Sequence, residues 1–399
     1  MPDTPSSTRP PFPYLPVLLV ALGHFAHDVF TAFYGVLLPI LAPALGLNRT
    51  TAGLVTFARH LPALLNPVLG YAADRISVRW FVILAPGLTA TGMTWLGWVP
   101  NTSTLALLLF LVGVSTAMFH APAPALVAQI SHPYTGRGMS FFMAAGELGR
   151  AIGPVLAVWA VTVLTLERLP TLALLGWLAT GILAWRLAGV EARAQRNHNQ
   201  VVASGGFVLR WLLRLGLPLA LLILGRAFIV GGLGTYLAWY LTDQGYTLVQ
   251  AGRWVAVYEF TGMVGALLSG TMSDFLGRRR TVALTTALAA LFTAAFVLSP
   301  TPWKPVWLPL LGLSALSIQP VMLALIQDLA PNHRAAANGI YLAMSFLLRP
   351  VGVTSLGYMA DFWGQWELAF LTGATLALLS LPLLHFLHLT PTKQAAPET

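Results

Sequence analysis

Four arginines stand inside stretches of apolar sequence, where a charged side chain needs a specific reason to be present. A charge at the middle of a bilayer costs about 2.5–3.5 kcal/mol on insertion scales, so four would cost on the order of 10 kcal/mol on lipid-facing surfaces. A guanidinium group stays charged when it is buried, and its fork matches the oxygens of a carboxylate or a phosphonate. These side chains are therefore expected to face a wet cavity or a partner, and an anion is the ligand that they fit. They are Arg59, Arg150, Arg226 and Arg349.

Arg150 and Arg349 occupy equivalent places in the two halves of the chain, each three residues before a glycine. In membrane proteins built from parallel internal repeats, equivalent positions lie on opposite walls of one central site. We therefore predict that the two arginines form a two-sided anion clamp. The alternative is that Glu147, which lies on the same helix face, neutralises Arg150 permanently, while Arg349 serves only helix packing. The other residues predicted to line the binding site are His24, Tyr34, His120, Arg226, Tyr236 and Trp239.

Three acids also lie within apolar stretches, and proton exchange is the chemistry that they could perform. Asp28 is the first candidate for proton coupling, Glu259 the second, and Glu147 the third, because Arg150 beside Glu147 would keep it ionised. A carboxyl group in a poorly hydrated helix bundle can bind and release a proton in the working pH range. The alternative for Asp28 is a hydrogen bond that joins two helices. The spacing of the histidines predicts no metal site, and no cofactor is expected.

A short charged loop occurs twice, each time where one long apolar run ends and the next begins. The loops run from Gly70 to Arg79 and from Gly270 to Arg279, and each has an Asp four residues after its first glycine. Two copies at equivalent places indicate an internal duplication. We predict that these loops act in a gate and not in ligand binding. The residues assigned to the gate are Gly70, Asp74, Arg75, Arg79, Gly270, Asp274, Arg278 and Arg279.

The composition is that of a membrane protein. The chain is 57% hydrophobic and 9% charged, with a mean hydropathy of +0.74, whereas a soluble domain carries roughly 25% charged residues. Its apolar runs repeatedly exceed the ~20 residues that cross a bilayer. The net charge of +9 is explained by basic residues in cytoplasmic loops, so nucleic acid is not an expected partner. Gly-x-Ser-x-Gly and His-Glu-x-x-His, which would indicate a membrane-embedded enzyme, do not occur, and the absence of Cys excludes disulfides.

The apolar runs form two sets of six on either side of the one long polar stretch. The predicted organisation is a tail over 1–13, a six-helix bundle over 14–187, a linker over 188–210, a second six-helix bundle over 211–388 and a tail over 389–399. Lys and Arg concentrate in the linker and in the loops on its side, so both termini are expected in the cytoplasm. The first residues lack the apolar core of a secretory signal, so the first span is expected to be retained.

The paired charged loops resemble the signature loops of the major facilitator superfamily. Three further segments, Gly23–Asp28, Phe119–Pro122 and Gly149–Pro154, are similar to the fosmidomycin-resistance branch of that superfamily. The resemblance implies an all-α membrane protein with twelve transmembrane helices in two pseudo-symmetric six-helix bundles around a central cavity.

The same resemblance implies secondary active transport by alternating access and not an enzyme. We expect proton-coupled efflux of a small, anionic solute or drug by a monomer in the bacterial inner (plasma) membrane, in contact with membrane lipid. The alternative is proton-coupled or facilitated uptake of an organic anion, and a membrane-embedded enzyme or sensor is a remote one.

Overall fold

The computed structural model describes residues 11–65, 79–187, 205–331 and 333–387, and the regular elements in these ranges are helical. In the N-terminal half the α-helices are α1 Tyr14–Thr31, α2 Phe33–Leu45, α3 Arg49–His60, α4 Arg79–Thr94, α5 Thr102–His120, α6 Ala123–Ser131, α7 Thr135–Val163 and α8 Ala173–Leu187. In the C-terminal half they are α9 Gly205–Arg226, α10 Gly232–Asp243, α11 Leu248–Leu276, α12 Arg278–Leu298, α13 Leu308–Ala315, α14 Ile318–Leu329, α15 Arg334–Trp363 and α16 Trp366–Ser380. Short turns of 3-10 or π-helix extend several of these helices, at Leu61–Leu65, Trp95–Trp98, Leu169–Leu172, Ala227–Gly231, Thr301–Trp307 and Leu381–Phe386.

Within the described ranges, 11 continuous helical stretches are long and apolar enough to cross a membrane. The stretch from Arg49 to Leu65 begins the second predicted span, and the rest of that span falls in 66–78, outside the described residues. The helical membrane fold is thus confirmed, whereas the number of twelve spans and the arrangement in two bundles remain predictions.

The helix of the seventh predicted span overlaps the last residues of the predicted linker over 188–210, and the bounds of the linker stay a prediction. Helix α9 already starts at Gly205. Arg210 is exposed and donates from its Nε to the carbonyl of Gly206 at 3.1 Å. A long basic side chain of this kind keeps its charge in water while its stem stays on the helix, so the charge does not end the helix.

Polar caps and glycines set the helix ends near one side of the molecule. The side chain of Asn48 accepts from the backbone N–H of Thr51 at 2.7 Å and so caps the start of α3. Thr247 and Gln250 form a capping box at the start of α11. The C-cap that follows helix α2 is Gly46, whose φ of 62° suits a residue without a side chain. These signals can be recognised in the sequence, because each acts within a few residues.

Glycines on α7 let it pack closely on α1. A Cβ atom at Gly153 would lie 2.3 Å from the carbonyl oxygen of Val29, and one at Gly149 would lie 2.6 Å from the carbonyl oxygen of Phe25. Small residues at this spacing allow two helix backbones to approach. The segment Gly149–Pro154 therefore brings α1 and α7 together, and this contact sets Asp28 beside Arg150.

The two halves of the chain meet at the side that holds the loop 46–48, which we call the closed end. There α2 approaches α10, where a Cβ atom on Gly35 would lie 2.7 Å from the carbonyl oxygen of Gly234. Helix α3 approaches α15 in the same way, because a Cβ atom on Gly53 would lie 2.6 Å from the Cα of Thr354. Buried apolar side chains of both halves, among them Leu37 and Leu237, form one continuous core at this end.

Candidate functional site

Three histidines surround the carboxylate of Asp28, and we call the four residues the His–Asp cluster. Helix α1 supplies His24 and His27, and α5 supplies His120. The Nε2 atoms of His24, His27 and His120 lie 3.4, 3.9 and 3.5 Å from the nearer carboxylate oxygen of Asp28. The side chains of His24, His27 and Asp28 are at most 5% exposed, whereas that of His120 is 35% exposed. His120 is thus the member of the cluster that faces accessible space.

A hydrogen bond behind His24 decides which of its ring nitrogens carries a hydrogen. Its Nδ1 lies 2.8 Å from the carbonyl oxygen of Phe142. A carbonyl oxygen only accepts, so Nδ1–H donates, and the hydrogen-bond pattern assigns this tautomer. The Nε2 atom, which faces Asp28, is then the free acceptor of the neutral ring.

A chain of hydroxyl groups sets the same tautomer in His27. Ser115 donates to the carbonyl oxygen of Ala85 at 3.0 Å, so it accepts from the hydroxyl of Thr89 at 2.8 Å. The Thr89 oxygen then accepts from Nδ1–H of His27 at 3.0 Å. The Nε2 atom of His27 is buried and has no hydrogen-bond partner in the described part of the chain. It points, like that of His24, toward Asp28.

Arg150 is held by three acids from three helices. Its Nη1 lies 3.8 Å from Asp28 on α1, its Nε lies 3.5 Å from Glu259 on α11, and its Nη2 donates to Glu147 on α7 itself. The three acids predicted for proton coupling therefore meet at one guanidinium group. The interpretation in which acids neutralise Arg150 agrees with this geometry. A part for Arg150 in an anion clamp stays a prediction, as does proton coupling by these acids.

The other three arginines, which we call the arginine patch, have no such partners. Among the described residues, no carboxylate oxygen lies within the 4.0 Å ion-pair distance of Arg59, Arg226 or Arg349. The side chain of Arg349 is exposed although it lies in the middle of α15, and its charge repels those of Arg59 and Arg150. The Nε of Arg226 is buried and has no hydrogen-bond partner among the residues that the structure describes. The patch thus carries positive charge without a carboxylate at ion-pair distance in the described part of the chain, although Glu259 attracts Arg349 and Asp28 attracts Arg59 from farther away.

The aromatic residues predicted to pack a ligand lie in the contact between the halves. Tyr34 is 2% exposed and Tyr236 is 0% exposed. Tyr34 donates to the carbonyl of Ala52 at 2.9 Å, and the ring of Trp239 packs against that of Trp366. In this conformation Tyr34 and Tyr236 are buried, so a ligand would reach them only after the halves separate, whereas Trp239 is half-buried.

A network at the closed end, which we call the latch, joins the halves through residues that the sequence did not indicate. The carboxylate of Asp361 in α15 accepts from the backbone N–H of Arg49 at 3.2 Å, and from the N–H and hydroxyl of Thr50 at 2.8 and 2.6 Å. Arg49 also lies 3.6 Å from Asp243, and its guanidinium stacks 4.4 Å from the ring centre of Trp366. Asp361 therefore acts as an N-cap for α3 from the other half of the chain.

Tyr236 completes the latch by donating to the carbonyl oxygens of Arg49 at 2.8 Å and Val353 at 3.2 Å. In the sequence, Asn48 marks the start of α3, and Tyr236 was predicted only as a residue that lines the ligand site. Asp361 follows more than three hundred residues later, at a separation of 312 from Arg49, and no local pattern links positions so far apart.

Part of the predicted gate lies outside the described residues, namely Gly70, Asp74 and Arg75. Arg79 begins α4. In the second loop, Gly270 has open space around it, and Arg279 donates to the carbonyl of Leu387.

Arg278 pairs with Asp274 at 2.6 Å and with Asp328 at 3.6 Å. The second loop is therefore tied to helices of its own half in this conformation, and its gating role stays a prediction.

Comparison with curated proteins finds relatives that span nearly the whole chain. The fosmidomycin resistance protein of Escherichia coli (strain K12) is 23% identical over 86% of this chain and 85% of its own length. The MFS-type transporter YfnC of Bacillus subtilis (strain 168) is 23% identical over 96% of this chain and 94% of its own. The predicted likeness to the fosmidomycin-resistance branch is thus confirmed at low identity.

Solved transporter structures share the fold. The nucleoside transporter NupG superposes with a TM-score of 0.76 at 15% identity, over 93% of this chain and 98% of NupG. A D-xylose-proton symporter superposes with a TM-score of 0.73 at 14% identity, over 96% of this chain and 99% of the symporter. The family model described as "Major Facilitator Superfamily" matches residues 20–315 and 309–399. The chain is a membrane transporter, not an enzyme, and it belongs to the major facilitator superfamily.

Proposed function

We propose that this protein is a secondary active transporter that exports a small organic anion across the bacterial inner membrane in exchange for protons. The proposal rests on one observation, namely that Arg150 and the arginine patch have different surroundings. Arg150 is matched by three acids, whereas the arginine patch has no acid at ion-pair distance in the described residues. An anionic substrate would supply the charge that the patch lacks.

Arg349 is the first candidate for the anion ligand, since it is exposed in the middle of its helix. A charge at that depth is costly unless water or a ligand reaches it. Arg59 repels Arg349 electrostatically, so an anion bound between them would relieve that repulsion. Arg150 is near enough to interact with Arg349 and is proposed as the second arm of the clamp once its acids release it.

Proton coupling is proposed to act through Glu259. Its ion pair with Arg150 at 3.5 Å joins the two halves of the chain. A proton on Glu259 would break this pair, and an anion bound to Arg150 would break it as well. Either ligand alone would therefore release the two halves, as exchange requires. The charged and titratable groups around Glu259 are Arg150, Glu147, Arg349 and Tyr258.

Arg349→Lys is the decisive variant, because Lys keeps the charge but loses the guanidinium fork. We expect it to weaken binding of an anionic substrate about tenfold, or about 1.4 kcal/mol. A thermal-shift screen of organic anions, sugars and amphipathic drugs identifies the ligand, and titration calorimetry measures its affinity. Arg253→Lys is the matched control, since Arg253 is exposed and makes no ion pair among the described residues. Unchanged affinity in Arg349→Lys, or a preference for cations, would refute the proposed site.

Efflux and uptake are separated by flux measurements. Resistance in the name of the Escherichia coli relative favours export, whereas the D-xylose-proton symporter shows that this fold also supports symport. In proteoliposomes with a pH gradient, antiport moves the substrate toward the acidic side and symport moves it away from it. Glu259→Gln is expected to abolish uphill movement while leaving exchange down a substrate gradient. Uphill transport by this variant would exclude Glu259 as the coupling residue.

A further inference from the structure

The His–Asp cluster has the geometry of a metal-binding site. One ligand atom from each of His24, Asp28 and His120 lies within 4.8 Å of the other two. We propose that these residues bind a divalent transition-metal ion of the Zn²⁺, Co²⁺ or Ni²⁺ class, with His27 as a further nitrogen donor. The site differs from the arginine patch in ligand and location, so it does not rest on the proposed anion transport.

The distances in the cluster suit an ion better than a direct hydrogen bond. A charge-assisted hydrogen bond between imidazole and carboxylate is about 2.7–2.9 Å long. The contacts of His24 and His120 with Asp28 are 3.4 and 3.5 Å. Ligand atoms bonded at about 2.0–2.1 Å to a tetrahedral ion are themselves about 3.4 Å apart. The separation of each nitrogen from the carboxylate thus fits an ion bound between them, with His24 facing Oδ2 and His120 facing Oδ1.

The hydrogen bonds behind the rings prepare the nitrogens for coordination. A metal-binding histidine typically donates its other ring N–H to a carbonyl or a second polar group, which orients the ring and leaves the facing nitrogen bare. His24 does this through Phe142, and His27 through Thr89 and Ser115. His27 Nε2 is buried without a partner in the described chain, and this atom independently points to a ligand at this position.

The donor set selects the class of ion. Imidazole nitrogens combined with one carboxylate suit Zn²⁺, Ni²⁺ and similar ions, whereas Ca²⁺ and Mg²⁺ require mostly oxygen ligands. The group His24, Asp28 and His120 has two imidazole nitrogens and one carboxylate, and His27, 3.9 Å from Asp28, is the proposed third nitrogen donor. His120 is 35% exposed, so an ion can enter from the accessible side.

The positive charge of Arg150 would repel a metal ion bound at Asp28, and this repulsion can be tested. It lies 3.8 Å from the same Asp28 oxygen that faces His24. Glu147 and Glu259 hold the rest of the guanidinium group, and an incoming ion would leave Arg150 with those two acids. Removal of the arginine charge should therefore tighten metal binding, opposite to the effect of removing a ligand.

The experiment is a Co²⁺ titration of the full-length protein, purified without a histidine tag and followed by visible absorption, with Zn²⁺ competition measured by calorimetry. We expect one ion per chain and the absorption of a low-coordinate site. His120→Gln and His24→Gln should each weaken binding at least tenfold, and Arg150→Gln should strengthen it. His385→Gln, a histidine on the 3-10 turn after α16, is the control that leaves binding unchanged.

Two further tests apply if the variants of the ligand residues misfold. One changes Thr89, the hydrogen-bond partner of His27, and the other is a spectroscopic measurement on the wild-type protein. Thr89→Val removes the partner of His27 and should weaken binding by roughly 10–100-fold. X-ray absorption of the Zn²⁺-loaded wild-type protein should show imidazole nitrogens at about 2.0 Å. Binding that persists in the His24→Gln/His120→Gln double variant, protein that binds no metal, or a spectrum without imidazole ligands would each overturn the proposal.

Discussion

Removing the carboxylate of Asp361 should open the closed end of the transporter. In Asp361→Ala, the backbone N–H groups of Arg49 and Thr50 and the Thr50 hydroxyl lose an acceptor that lies 2.6–3.2 Å away. Loss of a helix N-cap costs about 0.5–2 kcal/mol. Here the cap comes from the other half of the chain, so this free energy acts on the equilibrium between closed and open states rather than on folding alone. A change of about 1–2 kcal/mol shifts that equilibrium roughly 5–30-fold toward separation.

The assay is a distance measurement between spin labels across the closed end. Because the chain has no Cys, Ser103→Cys and Thr301→Cys can be introduced without removing native thiols. Both positions lie on loops or helix starts at this end, one in each half. Double electron–electron resonance should show a larger population of long distances in Asp361→Ala than in the parent protein.

Two variants separate the cap from a general effect of charge. Asp361→Asn keeps one acceptor oxygen, and Asn caps helices nearly as well as Asp, so we expect a smaller shift. Glu167→Gln removes an exposed negative charge that makes no ion pair among the described residues and should leave the distances unchanged. Equal distance distributions in Asp361→Ala and the parent, or an equal shift in Glu167→Gln, would refute the latch.

Three further changes test other contacts. Tyr236→Phe loses the hydrogen bonds to the two carbonyl groups of the latch, which should cost about 1 kcal/mol and lengthen the same label distances; a shortening would contradict this. Gly153→Ala places a methyl group 2.3 Å from a backbone oxygen and should lower the thermal midpoint by several degrees. Gly181→Ala should not, since a Cβ atom there meets no neighbour within 4 Å in the described part of the chain; equal midpoints would exclude close packing of α1 on α7. Asp274→Asn loses its 2.6 Å ion pair and should lower turnover with substrate affinity unchanged; a large loss of affinity at normal turnover would assign the residue to binding.

Local patterns in the sequence determined the kind of protein and much of its layout. The low content of charged residues and the repeated apolar runs predicted a helical membrane protein, because a bilayer core admits few exposed charges. The doubled loops indicated an internal repeat, and the loops and three short segments indicated the superfamily. The helix starts at Asn48 and Thr247 follow rules that act over three or four residues.

The sequence also identified the ionisable residues at the centre but not how they are paired. Asp28, Glu147 and Glu259 were predicted as separate proton-coupling candidates, and the structure brings all three to Arg150. Arg150 and Arg349 were expected to be alike by symmetry. They differ because the acids near Arg150 have no counterpart at ion-pair distance from Arg349 in the described residues.

Only the tertiary structure decided the His–Asp cluster and the latch. His120 reaches Asp28 because the end of α5 meets α1, where Phe119 stacks on His27, and Asp361 reaches α3 because the two halves close on each other. Each contact joins side chains from separate helices, at separations that no periodic pattern encodes. The sequence by itself could therefore show that charges lie inside the membrane, whereas the choice of partner for each charge depends on how the helices pack.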